Sequence, residues 1–267
     1  MLLTSVVLIS QEILEASLII SVLMVFSRIC LISGRWIYPA LCLGLMGALW
    51  YSLELDRVSE WFDYVGQEIV NASLQGAIYL LVVCFVLLLA TRARRASDVL
   101  MAACMALIVA LAVIREGSEI IIYLSGFLSN SELLFPVLVG SAIGAGIGLS
   151  VGALLFYALI QLGSRWRQNT CLVLLALMGS NMLSQASRGL MQADWLPSGQ
   201  ALWDSSALLS ERSVVGHVAY ALVGYEATPS AVQVAFYMGG FVLVVGIMFF
   251  AGLGRQPSEG MPDQYSG

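Results

Sequence analysis

The chain is dominated by long apolar segments that are almost free of charge. Apolar residues make up 60% of its 267 residues and charged residues only 11%. Runs of about 20 apolar residues are long enough to cross the hydrocarbon core of a bilayer as helices. Charges and turn formers delimit seven such runs, at 1–26, 37–53, 66–90, 98–126, 134–162, 170–190 and 229–253. The sequence therefore predicts an all-α integral membrane protein with about seven transmembrane helices.

Arginine is the only basic residue type, and it is unevenly distributed between the joins of the predicted spans. The joins after spans one, three and five, together with the tail, hold eight of the twelve: Arg28, Arg35, Arg92, Arg94, Arg95, Arg165, Arg167 and Arg255. Because cytoplasmic loops of membrane proteins are enriched in basic residues, this pattern predicts an N-terminus outside and a C-terminus in the cytoplasm.

An internal repeat relates two parts of the chain at an offset of 104 residues. Glu12 maps to Glu116 and Glu15 maps to Glu119. Three spans separate the copies, so the two helices that carry them cross the membrane in opposite directions, as in inverted-repeat transporters. We expect an inverted 3+3 repeat plus one helix, divided into repeats at 1–95 and 96–190, an outer-face loop at 191–228, a seventh helix at 229–254 and a tail at 255–267.

The repeated glutamates are the strongest functional signal in the sequence. A carboxylate inside hydrocarbon costs several kcal/mol, so two pairs of them predict a cavity, a partner charge or a cation. Residues i and i+3 share one helix face, and helix rise puts both pairs at one level near the membrane midplane or somewhat outside it. Four hard oxygen ligands suit Fe³⁺, Mn²⁺, Mg²⁺ or Ca²⁺, and the pattern therefore predicts a cation path.

Several alternatives remain open at this stage. The glutamates could form structural ion pairs, for instance with Arg115, in a membrane anchor for redox partners, or they could carry another divalent metal or protons. The single histidine, His217, rules out a bis-His haem within this chain. The five cysteines form no CxxC pair and are expected to be core residues. No P-loop pattern is present, and we expect neither enzymatic activity, a permanently bound cofactor nor a nucleic-acid partner.

The motif Arg115-Glu116-Gly117-Ser118-Glu119, with a second Glu-x-x-Glu at Glu12 and Glu15, resembles the oxidase-dependent ferric iron permeases. Further matching runs are Gln67-Glu68, Leu202-Trp203-Asp204-Ser205-Ser206, Gly224-Tyr225-Glu226 and Pro229-Ser230. The resemblance covers nearly the whole chain. It implies iron uptake across the cytoplasmic (inner) membrane, with Glu12, Glu15, Glu116, Glu119 and Glu68 as metal-handling residues.

The resemblance also implies partners, namely the iron ion as cargo, membrane lipid, and a periplasmic oxidase or iron-delivery protein. Two positions depart from the family pattern. Gln11 stands where the family usually has Arg, which makes the predicted site more negative, and Asn71 stands where related sequences often have an acid. With Gln67 and Arg115, these two residues are expected to support the site, and the Asn71 amide oxygen could serve as a weak ligand.

Other patterns predict packing and surface structure. The glycines at 140, 144, 148 and 152 recur every fourth residue and predict close helix approach. Aromatic residues near span ends are expected to form an interfacial belt: Trp36, Tyr38, Trp50, Tyr51, Trp61 and Trp166. An amphipathic run at about 207–223 is expected on the outer surface. The loop that holds it is either a plain connection or a cap with Asp204, Glu211 and Glu226.

Overall fold

The structure is a computed structural model, and it describes residues 1–90, 97–128, 131–210 and 213–251. Within these ranges the regular structure is helical, apart from one isolated bridge between Ala201 and Ser230. Several residues of the sequence analysis lie outside the described residues: Arg92, Arg94, Arg95, Glu211, Arg255 and the tail at 255–267.

Helices account for most of the described chain. Their bounds are α1 Leu2–Ile29, α2 Ile37–Leu53, α3 Leu55–Ser59, α4 Trp61–Tyr64, α5 Gly66–Ala90, α6 Ser97–Ser125, α7 Ser131–Gln161, α8 Ser164–Gln192, α9 Val214–Val223 and α10 Ala231–Phe250. Seven helices of the described ranges, all but α3, α4 and α9, are long and apolar enough to cross a membrane. This finding confirms the predicted all-helical, multi-pass class.

Some helix ends differ from the predicted spans. Helix α8 begins at Ser164 rather than at 170, because Arg165 and Arg167 continue the helix beyond the apolar run. Hydropathy marks the part of a helix that suits hydrocarbon, whereas the backbone hydrogen bonds extend further. At the other end of the chain, α10 begins at Ala231, since Ser230 and Gln233 form a capping box that fixes its start.

The predicted glycine stripe packs α7 along α1. Cβ atoms built on these glycines would meet α1 at successive positions, with Gly140 beside Leu2 and Ser5, Gly144 beside Val6 and Ile9, Gly148 beside Ile13, and Gly152 beside Ser17. Residue numbers rise together, so the two helices run in parallel. The Ser17 hydroxyl donates to the Gly148 carbonyl at 3.0 Å, and the Ser21 hydroxyl donates to the Gly152 carbonyl at 2.8 Å. Backbone approach therefore also supplies interhelical hydrogen bonds.

A second parallel pair is formed by α2 and α6. Gly44 lies against Val113, Gly47 against Ile114 and Gly117 against Ala48. Helices α1 and α6 are antiparallel, because Ser5 Oγ lies 2.7 Å from the Tyr123 hydroxyl near one end while Glu15 meets Arg115 further along. We call the end of the bundle that carries Leu2, Gly66 and Gln192 the N-terminal face.

Only part of the run predicted at 207–223 is helical, and it forms α9. It covers Val214–Val223 and contacts α1 and α8, and Ala221 is part of the hydrophobic core. The Asn181 side-chain amide donates to the Tyr220 carbonyl at 3.0 Å, about 16 Å along α8 from its C-terminal end. Val215 and Val223 near its ends are exposed, and most of its other side chains are only partly buried.

The predicted interfacial belt is incomplete. Tyr38, Trp50, Trp61 and Trp166 are exposed, in agreement with the prediction, but Trp36 and Tyr51 are buried. The Trp36 indole N–H donates to the Ser27 hydroxyl at 3.1 Å, which satisfies its polar atom inside the bundle. Position near the end of a span therefore does not by itself put an aromatic residue in contact with lipid.

We predict that Gly148→Ala destabilises the protein while Gly146→Ala does not. A Cβ at Gly148 would lie 2.9 Å from Ile13 Cβ and from the Leu14 backbone nitrogen, whereas a Cβ at Gly146 meets nothing within 4 Å. Overpacking of this kind costs about 1–3 kcal/mol. Thermal unfolding in detergent micelles, followed by circular dichroism, should show a lower melting temperature for Gly148→Ala alone. Equal melting temperatures for the two variants would contradict the α1 and α7 packing.

Candidate functional site

The two predicted glutamate motifs meet where α1 crosses α6. Arg115 lies between them. Its Nη1 atom lies 3.1 Å from Glu15 Oε2 and also pairs with Glu116 Oε1, while its Nη2 atom lies 3.8 Å from Glu119 Oε1. Arg115, Glu15 and Glu116 are buried, and Glu119 is half-buried. One guanidinium group therefore serves carboxylates from both motifs, and its contact with Glu119 is longer than a hydrogen bond.

Glu12 and Glu116 form the deepest part of the cluster. Their side chains are only 7% and 2% exposed, and their carboxyl groups face each other within hydrogen-bonding reach. Within the described chain, Glu12 Oε2, Glu116 Oε2 and Arg115 Nε are buried without a hydrogen-bond partner. Two carboxylates this close repel each other unless a proton or a cation lies between them. The cluster is thus polar, buried and incompletely satisfied.

The charges of the cluster do not balance. Glu12, Glu15, Glu116 and Glu119 oppose a single arginine, which leaves a net charge of about −3 when all five groups are ionised. Nonetheless, the described residues contain no group of three His, Cys, Asp or Glu side chains arranged to hold one metal ion. Arg115 occupies the space between the carboxylates. A cation held by all four glutamates would therefore require the guanidinium group to move.

A polar cavity of about 240 Å³ adjoins this cluster on the side of the N-terminal face. Its lining consists mainly of amide, carboxylate and guanidinium groups: Gln67, Glu68, Asn71, Gln75, Arg115, Glu119, Gln185, Arg188, Gly189, Gln192 and Tyr220. The cavity brings together five residues of the predicted site: Gln67, Glu68, Asn71, Arg115 and Glu119. Of the two predicted glutamate pairs, only Glu119 lines the cavity, and Arg115 separates it from the deeper carboxylates.

The sequence analysis missed Gln75 and Gln185, which form the inner wall of the cavity. Both are buried, and the Gln75 side-chain N–H donates to the Gln185 side-chain oxygen at 2.7 Å. The Gln185 side-chain nitrogen lies 3.4 Å from Glu15 Oε2, so this pair connects α5 and α8 to the cluster. A signal was available, because a glutamine inside an apolar span is costly unless it finds a partner.

A second charged pair joins α8 to the segment after α9. Arg188 forms an ion pair with Glu226, and the Gln233 side-chain nitrogen donates to Glu226 Oε2 at 2.8 Å. Arg188 lines the polar cavity, whereas Glu226 and Gln233 line a more apolar cavity of about 260 Å³ beside α10. Glu226, which the sequence analysis placed either in a cap or in a plain connection, thus pairs with a residue that lines the other cavity.

Two further residues named in the sequence analysis, Gln11 and Asp204, take no part in the ion pairs of the buried glutamates. Gln11, the repeat mate of Arg115, is half-buried and brings no charge to the cluster. Asp204 is fully exposed, and hydrogen bonds from the Ser206 hydroxyl and backbone N–H lower the pKa of its carboxyl group. Asp204 therefore stabilises a local turn through its own neighbours.

The fold and this geometry define a multi-pass helical membrane protein with a buried charged cluster beside a polar cavity. No protein-family model, curated protein or solved structure matches the chain. The arguments on function consequently start from the charges, contacts and cavities described above.

We predict that Arg115→Gln strongly destabilises the fold. Removal of the guanidinium group leaves buried carboxylates without a counter-charge, which costs about 3–5 kcal/mol for a buried pair. Arg57→Gln is the matched control, since Arg57 pairs with Glu54 but is 79% exposed, and such surface pairs contribute about 0–1 kcal/mol. Thermal unfolding in lipid nanodiscs should show a large loss for Arg115→Gln only. Similar melting temperatures for both variants would mean that the cluster is not held by Arg115.

Proposed function

We propose that the protein is an iron permease that carries iron, as the ferric ion, across the cytoplasmic membrane through the Glu12, Glu15, Glu116 and Glu119 carboxylates. The observation that carries this proposal is the buried excess of carboxyl groups over guanidinium groups next to a polar cavity. Such an excess is unfavourable in a membrane interior unless protons or cations compensate it. The motif resemblance described above favours iron among the cations that hard oxygen ligands can bind.

The cavity provides the route in this proposal. An ion enters from the N-terminal face past Gln67 and Glu68, and it reaches Glu119 at the inner end of the cavity. Transfer to Glu12 and Glu116 requires Arg115 to withdraw from between the motifs. Arg115 thus compensates the carboxylates in the absence of cargo, and the incoming cation replaces its charge. The ion exchanges one set of electrostatic contacts for another, which lowers the barrier to its entry.

The predicted inverted repeat is supported by the way that the helices pair. The α1 and α7 pair runs in parallel, as does the α2 and α6 pair, and these are equivalent pairs if the two repeats are exchanged. The repeat mates Glu12 and Glu116 also face each other directly, as residues on a pseudo-twofold axis would. Inverted repeats of transporters typically hold their substrate at this interface and move against each other around it.

A purely structural role for the ion pairs is the main competing function, and the position of Arg115 favours it. In that case, the cluster only holds α1 against α6, and the cavity is a water-filled space. The two functions differ in one measurable respect. A structural cluster affects stability alone, whereas a transport site affects iron flux at equal amounts of folded protein.

We predict that Glu12→Gln and Glu116→Gln each reduce iron uptake at least tenfold. Glutamine retains the size and a hydrogen-bonding oxygen but removes the charge that a ferric ion needs. The assay is radiolabelled iron uptake in an iron-uptake-deficient host, with ferrous and ferric iron supplied in turn and membrane protein quantified in parallel. Normal uptake by both variants would contradict the proposal.

Glu60→Gln provides the matched control for this assay. Glu60 is an exposed glutamate between α3 and α4, away from the cavity lining. The same substitution there should leave uptake within twofold of the wild type, so that a general effect of lost negative charge is distinguished from loss of the buried site. Absence of uptake by the correctly inserted wild-type protein would point to another cation, which direct uptake assays with Mn²⁺, Mg²⁺ and protons would identify.

A further inference from the structure

Two cysteines from different helices lie side by side in the bundle. The sulfur atoms of Cys84 on α5 and Cys104 on α6 are 3.8 Å apart. Both thiols are free, and Cys104 is buried while Cys84 is partly exposed. Two thiols in contact can be joined by a disulfide without a large movement of the helices that carry them. The pair is therefore a candidate site for oxidation.

The surface of the bundle beside this pair is apolar and open. On a helix, residues three and four positions away lie on the same face as a given residue. For each of the two cysteines, one such leucine before it and one after it are exposed: Leu80 and Leu87 on α5, and Leu100 and Leu107 on α6. Exposed leucines of a membrane-spanning helix face acyl chains. The partly exposed Cys84 is thus within reach of a reagent dissolved in the lipid.

The pair also lies at a shallow depth, near the end of the bundle opposite the N-terminal face. Cys84 is about 9 Å from the end of α5 at Ala90, and Cys104 is about 10 Å from the start of α6 at Ser97. Helix α5 has 25 residues and is about 37 Å long, whereas the hydrocarbon core is about 30 Å thick. The thiols therefore lie just inside the boundary with the headgroups. A polar group carried on an acyl chain is drawn to this boundary, because its burial in hydrocarbon is costly.

We infer that Cys84 and Cys104 form a reversible disulfide on reaction with a lipid hydroperoxide. The Cys84 sulfur attacks the terminal peroxide oxygen and the O–O bond breaks. The lipid alkoxide takes the thiol proton and leaves as an alcohol, and Cys84 becomes a sulfenic acid. The Cys104 sulfur then attacks the Cys84 sulfur, and the hydroxyl group leaves with the Cys104 proton as water. The two thiols lose two electrons, which the peroxide gains, and a dithiol reductant reverses the bond by exchange.

The consequence of this disulfide for transport rests on the permease function proposed above. Helix α5 belongs to the predicted first repeat at 1–95, and α6 belongs to the predicted second repeat at 96–190. Inverted repeats of transporters move against each other during transport, whereas a disulfide fixes the distance between the two helices that it joins. The bond would therefore stop iron entry while membrane lipid is being oxidised.

The first test measures the disulfide in the full-length protein in lipid nanodiscs treated with linoleic acid hydroperoxide. Mass spectrometry of the digested protein should find the two cysteine peptides linked in the wild type, and dithiothreitol should separate them. Cys84→Ser and Cys104→Ser should form no such link. Cys171→Ser is the matched control, because Cys171 is a buried thiol on α8, and this variant should link Cys84 to Cys104 as the wild type does. Absence of the link in the wild type overturns the inference.

The second test measures radiolabelled iron uptake by cells of the uptake-deficient host after the same treatment. Wild-type uptake should fall in proportion to the linked fraction and recover with dithiothreitol, whereas Cys84→Ser and Cys104→Ser should keep the rate of untreated cells. Full uptake by the linked protein overturns the effect on transport. Failure of the permease function is recognised separately, as absence of uptake before treatment, and the linked peptides then still confirm or overturn the disulfide.

Discussion

The structure depends on one electrostatic constraint, which is the burial of a single arginine among four glutamates. Charges of this kind are stable inside a membrane bundle only when partners from several helices converge on them. Arg115 joins α6 to α1 through Glu15, and the Gln75 and Gln185 pair extends the same network to α5 and α8. The cavity exists because these polar groups face one another and not the lipid. The fold and the proposed function therefore have a common physical origin.

The sequence was sufficient for the helical class, the approximate spans and the meeting of the two glutamate motifs. These features follow from hydropathy, from the i and i+3 spacing and from the glycine stripe, all of which are local or periodic signals. The position of Arg115 between the carboxylates was not predictable to the same degree. Its side chain could pair with glutamates of its own helix or of α1, and only the packing of α1 on α6 determines that it does both.

Two other features depended on tertiary context. Tyr51 lies near the end of a span, where aromatic residues commonly contact the interface, but the glycine contacts of α2 with α6 turn it toward the interior. Helix α9 is short, and its contacts with α1 and α8 depend on tertiary packing, which no local pattern reveals. Gln75 and Gln185 carry no charge and belong to no recognised motif, so only the packing of α5 and α8 shows that they border the cluster.

The unequal numbers of carboxylates and guanidinium groups have a consequence for energetics in a polarised membrane. With all groups ionised, the empty cluster carries about three negative charges, and one ferric ion makes it neutral as long as Arg115 stays beside the carboxylates. A membrane potential acts on charge at about 2.3 kcal/mol per elementary charge per 100 mV. The membrane potential would therefore exert little force on the neutral, loaded cluster but a large force on the charged, empty cluster. In a carrier that alternates between two faces, the voltage-dependent step would be the return of the empty site.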